Sequence, residues 1–192
     1  MIGKQQTKLT SRSLVPSISR PVAEAMVLYL LGALAMFIHA RFRWGTNIPG
    51  HHGLEFMAIL MTARIHSKMK WSSVFMVLGI GTMIVLPFVG FKNPVSALGY
   101  LLPVIALDVF YKFFGTKKHL WLLTLVGGLS YMVVPIYRIL LMSLSGIPYP
   151  AAVKYGTVFA PLAGFFVFGL LGSGLALGLS LTIKNMKNEN KK

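Results

Sequence analysis

The chain contains no cysteine and only four acidic residues among 192. Without thiols, disulfides, thiolate metal sites and cysteine nucleophiles are all excluded. With so few acids, a proton-coupled antiporter would have to run on Glu55 or Asp108, since Glu24 and Glu189 lie near the ends of the apolar region. Charged residues make up 12% of the chain, half of the roughly 25% carried by a soluble domain, which rules out a soluble globular enzyme. No GxxxxGK[ST] sequence occurs, so the chain has no P-loop of its own. Ser-His-Asp and paired-aspartate protease patterns are missing, as are the regular arginines of a voltage sensor. No repeat of three plus three spans, frequent in secondary transporters, is visible.

What is present is apolar. Hydrophobic types reach 55% of the residues, and the mean hydropathy is +0.70. That content excludes disorder. A spanning helix needs about 20 mostly apolar residues. After a basic leader (1–21) that does not read as a cleavable signal peptide, six segments qualify as candidates. They run from about Ala23 to Ala40, Gly53 to Ile65, Trp71 to Phe91, Pro94 to Phe114, His119 to Leu144 and Lys154 to Ile183. The expected fold is an all-α integral membrane protein, a six-helix bundle over 22–184 with a basic tail at 185–192. The second segment is short: about 13 residues give only about 20 Å against a hydrocarbon core of about 30 Å. It is expected to tilt little, to start in a loop that dips into the membrane, or to lie behind other helices, because irregular backbone at membrane depth must be shielded or line a cavity.

The 19 basic residues give a net charge of +15, and their placement sets the orientation. With both termini inside, the inner set is Lys4, Lys8, Arg12, Arg20, Arg64, Lys68, Lys70, Lys112, Lys117, Lys118, Lys184, Lys187, Lys191 and Lys192. The outer set is Arg41, Arg43, Lys92 and Lys154, and Arg138 lies within the fifth segment. This 14 to 4 split is a positive-inside pattern, N-in and C-in. The basic excess therefore reflects topology, and no nucleic-acid partner is expected.

Ionisable residues inside a span are costly and usually face the bundle interior or a pathway. Glu24 opens the first segment, where a helix N-terminus favours negative charge. Asp108 has Lys112 at i+4, which suffices for a local ion pair. Glu55 follows the polar run Asn47-Ile-Pro-Gly-His51-His52, within one helical turn of both histidines. Imidazole and carboxylate suit a divalent metal, an organic ligand, or the capping of re-entering backbone equally well. Arg41, Arg43 and Trp44 end the first segment as snorkelling or ligand-facing groups. Arg138 follows Pro135, a residue that frees helix carbonyls, and is expected to pair with Glu55 or to face an outer cavity. Gly164, Gly169, Gly172, Gly174 and Gly178 form a small-residue ladder in the last segment, expected chiefly to pack the bundle internally.

The layout over residues 22–187 resembles the substrate-binding S components of energy-coupling factor (ECF) transporters. The likeness lies in the basic leader and first helix, the Asn-Ile-Pro-Gly loop, and the short second helix bearing Glu55 and ending Thr62-Ala63-Arg64. It continues in Gly79-Ile-Gly81, in Pro94-Val-Ser-Ala-Leu-Gly-Tyr100-Leu-Leu-Pro103 with Asp108 beyond, and in a glycine-laddered last helix followed by lysines. The resemblance implies a multi-pass cell-membrane protein that is not itself an enzyme and needs no cofactor. It would take up a small vitamin-like solute from outside, in a cavity roofed by the first loop. Its partners would be a transmembrane coupling subunit and a pair of ATPases.

On that reading Arg41, Arg43, Trp44, Asn47, His51, His52, Glu55 and Arg138 line the site. Their positive charge favours a carboxylate- or phosphate-bearing solute, because a desolvated guanidinium pairs bidentately with such groups. Three other readings stay open: a cobalt- or nickel-type binding subunit using His51, His52 and Glu55, a membrane-embedded enzyme using the same three, and an accessory protein that docks through the glycine ladder.

Overall fold

A computed structural model of the chain describes residues 19–42, 48–89, 91, 94–114, 120–146 and 150–189. The described residues are all-helical, without strands. The helices are α1 (Arg20–Arg41), α2 (Gly53–His66), α3 (Ser72–Val85), α4 (Pro94–Leu98), α5 (Leu102–Phe113), α6 (Leu120–Ser145), α7 (Pro150–Tyr155) and α8 (Phe159–Glu189). A 3-10 turn, Pro87–Val89, follows α3. Four helical segments are long and apolar enough to cross a membrane: Arg20–Arg41, Val95–Phe113, Trp121–Ser145 and Phe159–Glu189. The outside of the bundle carries Leu30, Leu34, Val74, Leu78, Leu140, Val167, Leu171 and Leu175, all exposed. Such a surface is inverted relative to a water-soluble domain and matches a lipid environment.

The six longer helices close into a ring. α1 packs on α3, α3 on α5, α5 on α6, α6 on α8, and α8 on α2, which returns to α1. α2 also touches α3, α5 and α6, so it lies among all five of the others. That explains how a helix of 14 residues, about 21 Å long, is accommodated: its Phe56, Met57, Leu60 and Met61 are fully buried by protein. Close approach of α8 to α2 depends on Gly172, where a Cβ would stand 2.5 Å from the Leu54 carbonyl oxygen.

Several boundaries differ from expectation, each for a local reason. The third helix stops at Val85 instead of running to Phe91. Pro87 forces Leu86 into extended backbone (ψ 121°). The fourth segment is split between α4 and α5 by a turn at 99–101, ahead of Pro103 in the first turn of α5. Lys154 belongs to a separate short helix, because Gly156 turns left-handed (φ 66°) and ends α7 before α8 begins. The glycine ladder divides too. Gly164, Gly169 and Gly172 meet neighbouring backbone, whereas a Cβ at Gly178 would meet nothing and one at Gly174 only Thr124, at 3.7 Å. The GxxxG pair therefore faces an apolar outer groove along α8 and does not pack the bundle.

Two of the acids, Asp108 and Glu24, serve as long-range ties. Asp108 does not pair with Lys112 as expected. Its carboxylate forms an ion pair with Arg64, Nε to Oδ1 2.5 Å, and accepts from Ser72 Oγ at 3.2 Å and from the Ser73 amide at 2.8 Å. It thus supplies the negative charge at the start of α3, where Trp71 provides no side-chain cap. Lys112 instead lies over the Trp71 ring, 3.4 Å from its centroid. Glu24 sits beyond the first turn of α1 and does not cap its own helix. It holds the α2–α3 connection, accepting from Ser67 Oγ at 2.8 Å, the Lys68 amide at 2.7 Å and the Met69 amide at 3.2 Å.

Candidate ligand-binding cleft

At the end of the bundle opposite these ties, the C-terminus of α1, the entry to α2, the start of α5, the second half of α6, α7 and the start of α8 surround a cleft of about 360 Å³. The entry to α2 is shaped by Pro49-Gly50, which lies against α8. Gly50 has φ 80°, and a Cβ there would come within 2.6 Å of the Phe165 amide nitrogen. Only glycine fits both demands. The turn then starts the helix, with the Gly53 amide donating to the Gly50 carbonyl at 2.7 Å.

This turn fixes both histidines. His51 Nδ1 is 2.7 Å from the Ile48 carbonyl oxygen, which has no proton to offer, so the ring donates there. His52 Nδ1 meets Glu55 Oε1 at 2.9 Å, closing one helical turn. His51 and His52 thus both hydrogen-bond within the re-entering segment, and their rings lie 3.9 Å apart. His51 Nε2 is buried without a hydrogen-bond partner among the described residues.

Of the residues singled out by sequence, His51, His52 and Arg138 line the cleft. Glu55 joins them through His52, while Arg41 is exposed at the end of α1 and is not part of the lining. Arg43, Trp44 and Asn47 lie outside the described residues. Arg138 donates from Nη2 to the Tyr100 hydroxyl at 3.0 Å, and its guanidinium stands 5.1 Å from the centre of that ring. Tyr131 and Phe165, stacked at 4.8 Å, form an aromatic wall. Lys154 and Tyr155 reach the cleft from α7. Among the described residues no carboxylate lines it, and no three His, Asp or Glu side chains come together as metal ligands would.

No family model, curated protein or solved structure matches the chain. Function must be read from the cleft itself.

His39, which sequence reading passed over, is the most buried of the three histidines that line this site. It is 8% exposed, with its ring 4.2 Å from Tyr100, 5.0 Å from His52 and 5.5 Å from Phe56. Its Nδ1 is buried with no hydrogen-bond partner among the described residues. The available signal was a titratable side chain inside an apolar span. A buried polar atom left unpaired is costly, and an apolar ring of similar shape removes that penalty. His39→Phe is therefore expected to stabilise the fold by about 1 kcal/mol. Thermal unfolding in a mild detergent tests this, and a lower midpoint than the parent chain would contradict it.

Proposed function

We propose that the chain is the membrane-embedded, solute-binding subunit of an ATP-driven importer, capturing a small, vitamin-like anion from outside. One observation carries the reading. The described lining of the cleft combines Arg138 and Lys154 with three histidines and an aromatic wall and contains no carboxylate. Its volume of about 360 Å³ falls in the range of small-molecule sites. A guanidinium at a half-enclosed apolar site is best matched by a carboxylate or phosphate. The 14 to 4 split of basic residues supports a six-helix, N-in and C-in arrangement, in which the cleft would open on the outer side of the cell membrane. Energy would come from a transmembrane coupling subunit and a pair of ATPases, as in the ECF transporters the sequence resembles.

Native mass spectrometry of the protein, purified in mild detergent from its own host, tests the proposal. The expected result is one organic anion retained per chain. A chain that carries only lipid, or is empty, counts against it.

A further inference from the structure

We infer that His51 reads a hydrogen-bond donor on the solute: its Nε2, a fixed acceptor in the cleft lining, selects an anion that also carries an N–H or O–H group, as an amino or hydroxy acid does. This rests on the anion-capturing reading and adds a second recognised group to it.

The polarity of His51 follows from the turn that holds it. Its Nδ1 lies 2.7 Å from the Ile48 carbonyl oxygen, and only a ring N–H can make that bond. A neutral imidazole has one such proton, so Nε2 is left with a bare lone pair. That nitrogen is buried without a hydrogen-bond partner among the described residues, on a ring that lines the cleft. The ring is also held before any solute arrives. It belongs to the segment that Pro49 and Gly50 seat against α8, and the His52 ring lies 3.9 Å away. A group fixed in advance loses little freedom on binding.

A second nitrogen shares this state. His39 Nδ1 is buried without a partner among the described residues, on a cleft-lining ring 5.0 Å from that of His52. Buried polar atoms are nearly always hydrogen-bonded, and leaving one unpaired is costly. Two such nitrogens on one cleft lining mark a set that a bound molecule completes. Of the two rings, only that of His51 has its proton placed by a bond to a carbonyl. The demand for a donor therefore falls on His51, whereas His39 can present its nitrogen as donor or acceptor. A carboxylate by itself does not meet that demand, because a lone pair facing an anion repels it. A solute with a donor set apart from its anionic group meets it.

The test uses the full-length chain in lipid nanodiscs and calorimetric titration at about pH 8, where a free imidazole carries one proton. The probes are benzoate, meta- and para-aminobenzoate, and meta- and para-toluate. Amino and methyl groups are close in size, all five acids are monoanions, and only the amino compounds bring a donor. At least one aminobenzoate is expected to bind at least about 10-fold tighter than its matched toluate. His51→Asn should bring that ratio to within about twofold of one while leaving benzoate and the toluates little changed. The asparagine amide can still donate to the Ile48 carbonyl from the position of Nδ1, so the turn is kept and only the acceptor is lost. His51→Gln, which carries an amide oxygen near the position of Nε2, should keep part of the preference. His39→Phe should leave it in place. Toluates binding as tightly as both aminobenzoates, an amino preference that survives His51→Asn, or His51→Asn weakening all five acids alike overturns the inference and leaves anion capture standing. A preference lost in His39→Phe and kept in His51→Asn also overturns the assignment to His51. If the parent chain binds none of the five, anion capture fails and the inference fails with it.

Discussion

Asp108→Asn is expected to cost about 3–5 kcal/mol of folding stability, because it leaves Arg64 as a buried charge without its counter-ion. The two side chains are 2% and 8% exposed, with Nε and Oδ1 2.5 Å apart. Arg64 also lies over the Tyr111 ring at 4.2 Å, so its guanidinium is enclosed by α2 and α5. The substitution further weakens the link to the Ser73 amide, and with it the start of α3. One carboxylate thus ties three helices. An exposed ion pair would give at most about 1 kcal/mol, so the size of the loss reports whether water reaches the pair. Reversible unfolding by SDS in mixed micelles measures it. Exchanging both partners, Arg64→Met with Asp108→Leu, is expected to recover only part of the loss: paired apolar groups carry no desolvation penalty, but the Ser72 hydroxyl and Ser73 amide lose their acceptor.

The same carboxylate shows where sequence stops being informative. The apolar runs made α1, α2 and α6 legible, and the shortness of α2 correctly pointed to a helix sheltered by its neighbours. Asp108 was expected to pair with Lys112 because spacing along one helix is all that a single chain displays. Arg64 reaches it because α2 packs beside α5, a fact of helix order in the ring. Glu24 misled for the same reason: its partners, Ser67, Lys68 and Met69, belong to a different connection. The end of α3 was legible in principle, since Pro87 constrains Leu86. The break at Gly156 was not, because a glycine among many small residues reads equally as a packing residue. In the cleft, Arg138 was found by its depth in an apolar segment. His39 sits close to Arg41 and passes in sequence for another residue at the end of a span; only the folding of Tyr100, His52 and Phe56 around it marks it as interior.

Arg138→Met is the substitution expected to affect the proposed capture of an anion most. Truncating one partner of a half-buried, hydrogen-bonded charge pair costs about 2–5 kcal/mol, or roughly 30- to 5,000-fold in affinity. Benzoate is the probe, because a single carboxylate calls on the guanidinium fork and not on a second cation. Fold stability should change little, since methionine keeps an apolar stem against the Tyr100 ring. Arg138→Lys should fall between, because an ammonium retains the charge and loses the bidentate geometry. Tyr100→Phe separates orientation from charge. It deletes the hydroxyl that accepts from Nη2 and leaves the ring beneath the guanidinium, so affinity should drop by about 1.5–3 kcal/mol if that bond positions the fork. Calorimetry on the three variants, beside their melting temperatures, discriminates sharply. Affinity lost at constant stability assigns Arg138 to the solute. Affinity unchanged while stability falls would assign it to the bundle and remove the cation on which the anion-binding argument principally depends.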